Sequence, residues 1–156
     1  MRPERTAEDG AFIRTVYAST RSPELAALGW SAPEQDAFIR MQFEAQARHY
    51  RTAFPDASHS IVCVDGEAAG RLIVHRSGDE IRIVDIALLP EFRRAGIGGE
   101  LVRRLLAEAD AAGLPVRCHV LAGSEARRFW ERAGFAAQDR DDAYVTMERP
   151  CVTSQP

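Results

Sequence analysis

The chain has 156 residues, 46% of them hydrophobic and 28% charged, which fits one soluble domain whose core needs no staples. A formal charge of −3 offers no chain-wide positive field to a nucleic-acid backbone, and no run approaches the roughly 20 apolar residues of a membrane span. All 20 basic residues are arginine, with no Lys or Asn, so acylation of a lysine on this chain is excluded.

Cys63, Cys118 and Cys151 are odd in number and lack metal-ligand spacing, which predicts unpaired thiols, no metal and a reducing compartment. Cys63 and Cys118 lie in apolar runs and read as small core residues. No signal-peptide h-region opens the chain, so the expected location is the cytoplasm.

Thr6-Ala-Glu-Asp9 reads as a capping box opening a first helix, with Phe12, Ile13, Val16 and Tyr17 on its apolar side. A second helix is predicted from Ala32-Pro33 to Phe54. Phe38, Met41, Ala45 and Tyr50 form its apolar stripe, Gln42, Gln46 and His49 a polar one, and Pro55 stops it. The period then changes to two. Ser60–Val64, a turn at Asp65-Gly66 and Ala69–His75 read as a hairpin, and Glu80–Leu88 as a third strand stopped by Pro90. His59 and His75 fall at strand ends and read as solvated. Leu101, Val102, Leu105, Leu106 and Ala109 mark a helix ending at Gly113, followed by a strand over residues 114–121. Ser124–Ala133 reads as a short helix capped by Gly134, and Phe135–Asp139 with Ala143–Glu148 as a closing hairpin. The predicted order is ααβββαβαββ, a mixed sheet covered by helices.

Arg93-Arg94-Ala95-Gly96-Ile97-Gly98-Gly99 joins the third strand to the next helix. Glycines let a backbone approach a ligand closely, successive N–H groups and a helix N-terminus attract an anion, and two guanidinium groups suit phosphate oxygens. A pyrophosphate site is the expectation. A P-loop is excluded because it needs lysine. A dinucleotide fingerprint is excluded because Leu101 stands where a small residue belongs and Leu114–Val116 where an acid should close a second strand.

Arg-x-x-Gly-x-Gly after a strand ending in Pro resembles motif A of the GNAT acyl-CoA N-acetyltransferase superfamily. The segment Ala126-Arg-Arg-Phe-Trp130-Glu-Arg-Ala-Gly134-Phe135 is similar to its motif B, and the resemblance runs over residues 2–149. It implies a single α/β domain over residues 1–149, with 150–156 as a tail. Its mixed, mostly antiparallel sheet would splay between strands 4 and 5 and be flanked by about four helices. Only Met1–Pro3 remain to form a first strand that is normally longer. The implied cofactor is acetyl-CoA, with pantetheine along the backbone of Ile86, Ala87 and Leu88. The Leu88 amide would polarise the thioester carbonyl, and residues Arg93, Arg94, Ala95, Gly96, Ile97, Gly98 and Gly99 would hold the pyrophosphate. Ser124 replaces the family's usual Asn, and Trp130 replaces the Tyr that protonates the leaving thiolate, which indole cannot do. The arginine pairs 103–104 and 127–128 read most simply as exposed helix faces, with Arg127 a candidate to reach the phosphates.

An attacking amine must lose a proton. Asp85, an acid among Ile83, Val84, Ile86 and Ala87, is one candidate base, its other reading being a structural partner for a turn or an arginine. His119 is a second candidate, set against a histidine satisfied by neighbouring backbone. Gln42, Gln46, His49 and Tyr50 are candidates for the acceptor pocket, or else a plain polar helix face. The expected activity is direct acetyl transfer to a primary amine of a small molecule or peptide. The rivals are an acyl-CoA-binding sensor that has lost efficient chemistry and a phosphate-binding domain for an unrelated nucleotide. Dimerisation is common in such folds, and no seam on this chain is diagnostic of a homodimer.

Overall fold

Strand-period residues after residue 57 build a seven-stranded sheet in the computed structural model, which describes residues 1–141 and 143–152, the side chains of Thr6, Ala7 and Ser22 excepted. The strands are β1 (Arg2–Pro3), β2 (Ser58–Val64), β3 (Glu67–Arg76), β4 (Ile81–Leu88), β5 (Val116–Leu121), β6 (Ala136–Arg140) and β7 (Tyr144–Arg149). Their order is β1-β2-β3-β4-β5-β7-β6. The helices are α1 (Thr6–Ala27), α2 (Ala32–Ala53), α3 (Ile97–Ala112) and α4 (Ala126–Arg132), with a 3-10 turn at Pro90–Phe92. The sheet is mixed and mostly antiparallel. Its parallel pair, β4 with β5, runs from Ile81↔Val116 to Ile83↔Cys118.

The chain forms two compact units, Met1–Ile73 with Asp85–Arg93, and Val74–Val84 with the chain from Arg94 on. In the first, α1 packs on α2 and buries Ile13, Val16 and Leu25, while β2 and β3 bury Ile61, Val62, Ala69, Leu72 and Ile73. The α2 stripe differs from the sequence reading: Ile39 is its buried residue, and Met41 is 58% exposed. A helix whose surface is mostly wet needs few apolar anchors, so periodicity identified the helix better than its inward face. Arg5 is the N-cap of α1, without a side-chain bond to cap it. The Thr6 half of the expected box lies outside the described side chains. Asp9 reaches back one residue further than the expected box, accepting from the N–H of the N-cap Arg5 at 2.7 Å, and also from both terminal nitrogens of Arg2 at 2.7 and 2.8 Å. That pairing fixes β1, whose Arg2 stands opposite Ile61 of β2. Cys63 is half-buried rather than core, and Cys118 of the second unit is fully buried.

In the second unit α3 presents Leu101, Val102, Leu105 and Ala109 inward and packs against β5, whose Val116, Cys118 and Val120 alternate inward with period two. Leu106 is only half-buried. Gly113 at φ 72° terminates α3 in the left-handed conformation that glycine tolerates. Arg149, 8% exposed, clamps Asp110 with two bonds of 2.6 and 3.1 Å and also donates to the Leu106 and Pro150 carbonyls.

Candidate functional site

The turn leading into α3 is built around unused main-chain donors. Arg93 still donates its N–H to the Pro90 carbonyl (3.2 Å), and Glu100 is the first residue of α3 to bond back, to Gly96 (3.0 Å). Between them, no N–H from Arg94 to Gly99 donates to any described residue. Arg94 (φ 63°) and Gly96 (φ 79°) are left-handed, which curls consecutive amides into a concave row of the kind that cradles anions. The 16-residue helix behind it adds its positive end. A Cβ built on Gly96 or Gly99 would meet nothing within 4 Å, and one on Gly98 would rest 3.6 Å from the Phe129 ring. The loop thus exposes six donors with no side chain covering its glycines.

Arg94, Ala95 and Gly96 are exposed, while Ile97, Gly98 and Gly99 are half-buried. Arg93 is exposed but not idle. Its Nε donates to the Leu88 carbonyl at 2.9 Å and its Nη2 to Ser19 Oγ at 3.1 Å, so the side chain ties the end of β4 to α1. Ile86, Ala87 and Leu88 are half-buried at that strand end. The Leu89 N–H bonds the Ala69 carbonyl (2.8 Å), and β3 approaches so closely at Gly70 that a Cβ there would lie 2.2 Å from the Ala87 carbonyl oxygen.

Asp85 is half-buried, and burial is the largest influence on its carboxyl, raising it from 3.8 to about 6. The Arg71 charge, the Ile86 N–H and the Arg21 charge act in the opposite direction without overcoming it. Arg71 itself is 7% exposed and committed to Glu4 (3.3 Å) and His59 Nδ1 (3.3 Å). His59 is accordingly not the solvated residue its strand-end position suggested; burial lowers its pKa.

The other expected site residues have these surroundings. His119 is exposed on β5, with Arg82 Nη1 3.3 Å from its Nδ1 and its ring 6.5 Å from Tyr144. Ser124 Oγ accepts from the Ala126 N–H (3.1 Å) at the start of α4, and Arg127 Nε pairs with Glu131 (3.1 Å) one turn on. Trp130 is 5% exposed and packs edge-on with Phe129 and Phe135, each 5.0 Å away.

A cavity of about 250 Å³ opens in the first unit, lined by Arg21, Glu24, Leu25, Leu28, Trp30, Phe38 and Gln42. Of the α2 residues expected in an acceptor pocket, Gln42 lines it. Gln46 and Tyr50 are half-buried elsewhere, and His49 is exposed with its ring 6.0 Å from Tyr50. The α1 contributors escaped sequence reading because Arg21 and Glu24 look like an ordinary solvated face. Trp30, in the linker between the helices, was the available signal: a large aromatic between two helices needs something to cover it.

The family model described as the acetyltransferase (GNAT) family matches residues 13–135. No curated protein matches the chain by sequence. Among solved structures, the PaiA N-acetyltransferase from Thermoplasma acidophilum in complex with coenzyme A is similar at TM-score 0.68 and 17% identity, over 92% of this chain and 93% of that one. A GCN5-related N-acetyltransferase from Rhodopseudomonas palustris matches at TM-score 0.64 and 20% identity, over 96% of each. An acetyl-CoA-bound GNAT acetyltransferase from Elizabethkingia anophelis matches at 0.54 and 14%, over 62% of this chain and 77% of that one. Motif order, sheet topology and the match over most of its length together make this chain a member of the GNAT acetyltransferase family.

Proposed function

We propose that the chain is an N-acetyltransferase that moves an acetyl group from acetyl-CoA directly to a primary amine of a small molecule or peptide, within a single domain over residues 1–149. The observation that carries this reading is the row of unbonded amides from Arg94 to Gly99, donors enough for a diphosphate and left without a protein acceptor. Two of the similar structures were solved with coenzyme A or acetyl-CoA, which supports the choice of ligand. When bound, acetyl-CoA supplies an acyl group on a thioester, already activated.

The protein then has three tasks. The amides of residues 94–99 hold the diphosphate. The main chain of Ile86, Ala87 and Leu88 would orient the pantetheine arm. The Leu88 N–H would polarise the acyl carbonyl, a fixed donor worth about 10²–10³ in rate in other enzymes. Asp85 would accept a proton from the acceptor ammonium and so free its lone pair for attack; with a pKa of about 6 it is ionised at neutral pH yet more basic than an ordinary aspartate. A covalent route through Cys118 is disfavoured, because burial pushes that thiol up to about 12. With Trp130 buried, the leaving thiolate takes its proton from solvent or from the acceptor amine through water.

The test is calorimetric titration with acetyl-CoA beside an assay of free CoA thiol over a panel of amines. Submicromolar to micromolar binding with amine-dependent thiol release is expected. Binding without any acceptor-dependent release would replace the enzyme by an acyl-CoA sensor. Gly98→Phe adds bulk where a Cβ is sterically tolerated, so the fold should persist while acetyl-CoA affinity falls at least 30-fold; unchanged affinity would refute the loop as the diphosphate site.

A further inference from the structure

Resting on that reading, we infer that the cavity formed by α1, α2 and their linker selects the acceptor, and that the acceptor is a free α-amino acid with a bulky apolar side chain. Four apolar side chains line it, Leu25, Leu28, Trp30 and Phe38. The two rings meet edge to face at 5.0 Å and 78°, a rigid wall for another apolar group. Its polar lining is sparse and asymmetric. The Arg21 guanidinium lies 5.5 Å from the Tyr17 ring, and its Nε is buried without a hydrogen-bond partner. The Gln42 carbonyl accepts from Tyr17 Oη at 3.5 Å, and its amide nitrogen has no partner among the described residues. A cation and an amide donor, both near Tyr17 and both in the lining of a cavity with four apolar side chains, match a carboxylate carried on an apolar body.

Size and charge narrow the choice further. At about 250 Å³ the cavity falls below the ~300–1,000 Å³ of sites for drug-sized ligands, so it suits one amino acid rather than a long peptide. Glu24, exposed on the lining, attracts the ammonium of an incoming zwitterion and repels a second carboxylate, which disfavours aspartate and glutamate as acceptors. The positive charge of Arg21 also acts on the Asp85 carboxyl, so the cavity's cation and the proposed base are within electrostatic reach of one another. In the transfer, one proton of the acceptor ammonium passes to Asp85, the freed amine nitrogen forms a bond to the acetyl carbon, the carbon–sulfur bond breaks with its electrons leaving on CoA thiolate, and the second proton lost by the nitrogen reaches that thiolate through water.

The experiment compares phenylalanine, phenylalaninamide, phenethylamine, glutamate and glycine as acceptors for the unaltered protein, and repeats phenylalanine and phenethylamine with Arg21→Gln. Phenylalanine is expected to exceed phenethylamine, glutamate and glycine at least tenfold in kcat/KM. Arg21→Gln should raise the KM for phenylalanine at least tenfold and cut the phenylalanine-to-phenethylamine ratio of kcat/KM at least fivefold, whatever it does to both through Asp85, while leaving acetyl-CoA affinity within twofold. Equal turnover of phenylalanine and phenethylamine, or an equal loss of both in Arg21→Gln, overturns the amino-acid assignment while acetyl transfer itself stands. If no amine releases thiol, calorimetry with phenylalanine decides the cavity separately: saturable binding weakened by Arg21→Gln upholds it, and no binding overturns it. A thermal melt of the variant establishes its fold, and the comparison among acceptors needs no variant.

Discussion

Asp85 carries opposite consequences for activity and for stability. Its carboxyl is raised from 3.8 to about 6 mainly by burial, so the folded protein holds its proton more tightly than the unfolded chain does. Stability from this group is present below about pH 4 and is lost as pH rises toward 6, a difference of about 3 kcal/mol. Asp85→Asn is therefore expected to raise the denaturant midpoint at pH 8 while leaving it near the parent value at pH 4. If the carboxylate is the base, kcat/KM for the amine should rise with pH through an apparent pKa near 6, and the Asn variant should lose at least tenfold at pH 8. An unchanged rate would mark Asp85 as structural. This residue was legible because a lone acid in an apolar strand is conspicuous. Arg21 was not, because its role depends on a cavity made by a second helix and a linker, and nothing local distinguishes it from the exposed arginines of α3.

At the scale of elements, β3 and β4 touch where side chains cannot fit. Gly70→Ala places a methyl against the Ala87 carbonyl and the Leu88 Cα, backbone atoms that cannot move without shifting the strand end. A loss of about 2 kcal/mol or more is expected on chemical denaturation, together with weaker acetyl-CoA binding, since residues 87 and 88 are displaced. Trp130→Ala should cost about 3–5 kcal/mol by emptying the space between Phe129 and Phe135. The fate of Trp130 shows how far a motif reaches. The motif B pattern placed α4, but the rings of Phe129 and Phe135 that pack on the indole were not legible from it. The boundaries of α3 were readable from Gly96 and Gly113 because both adopt backbone that glycine alone tolerates easily. The buried side of α2 was not, because one isoleucine suffices to anchor it.

For the whole molecule, acid pH brings two opposing trends. Asp9, lowered to about 2 by its bonds from Arg2 and Arg5, together with the lowered Glu80, Glu108, Asp110 and Asp141, gives stability that disappears as pH falls below about 4. His59, held neutral by burial, loses stability as pH falls from 6.5 toward its lowered pKa, opposing Asp85. Asp85, with the larger displacement, gains over the same range, so the melting temperature should peak near pH 4–5 and fall on both sides. A monotonic decline from pH 8 to pH 3 would contradict the burial assigned to Asp85. The mixed, mostly antiparallel sheet followed from the family resemblance, while the strand order was not legible, since hydrophobic period alone says which residues are strands and not which strands are neighbours.

The bonds of Arg93 have one more consequence. A guanidinium is a flat fork with five N–H groups, and only two bonds, to Leu88 and Ser19, occupy it here. Were an anion to bind its remaining N–H groups, as the family resemblance implies, the guanidinium would hold it without releasing the strand. A lysine in its place would have to choose between the two partners, and the protein would exchange a rigid bracket for a swinging arm.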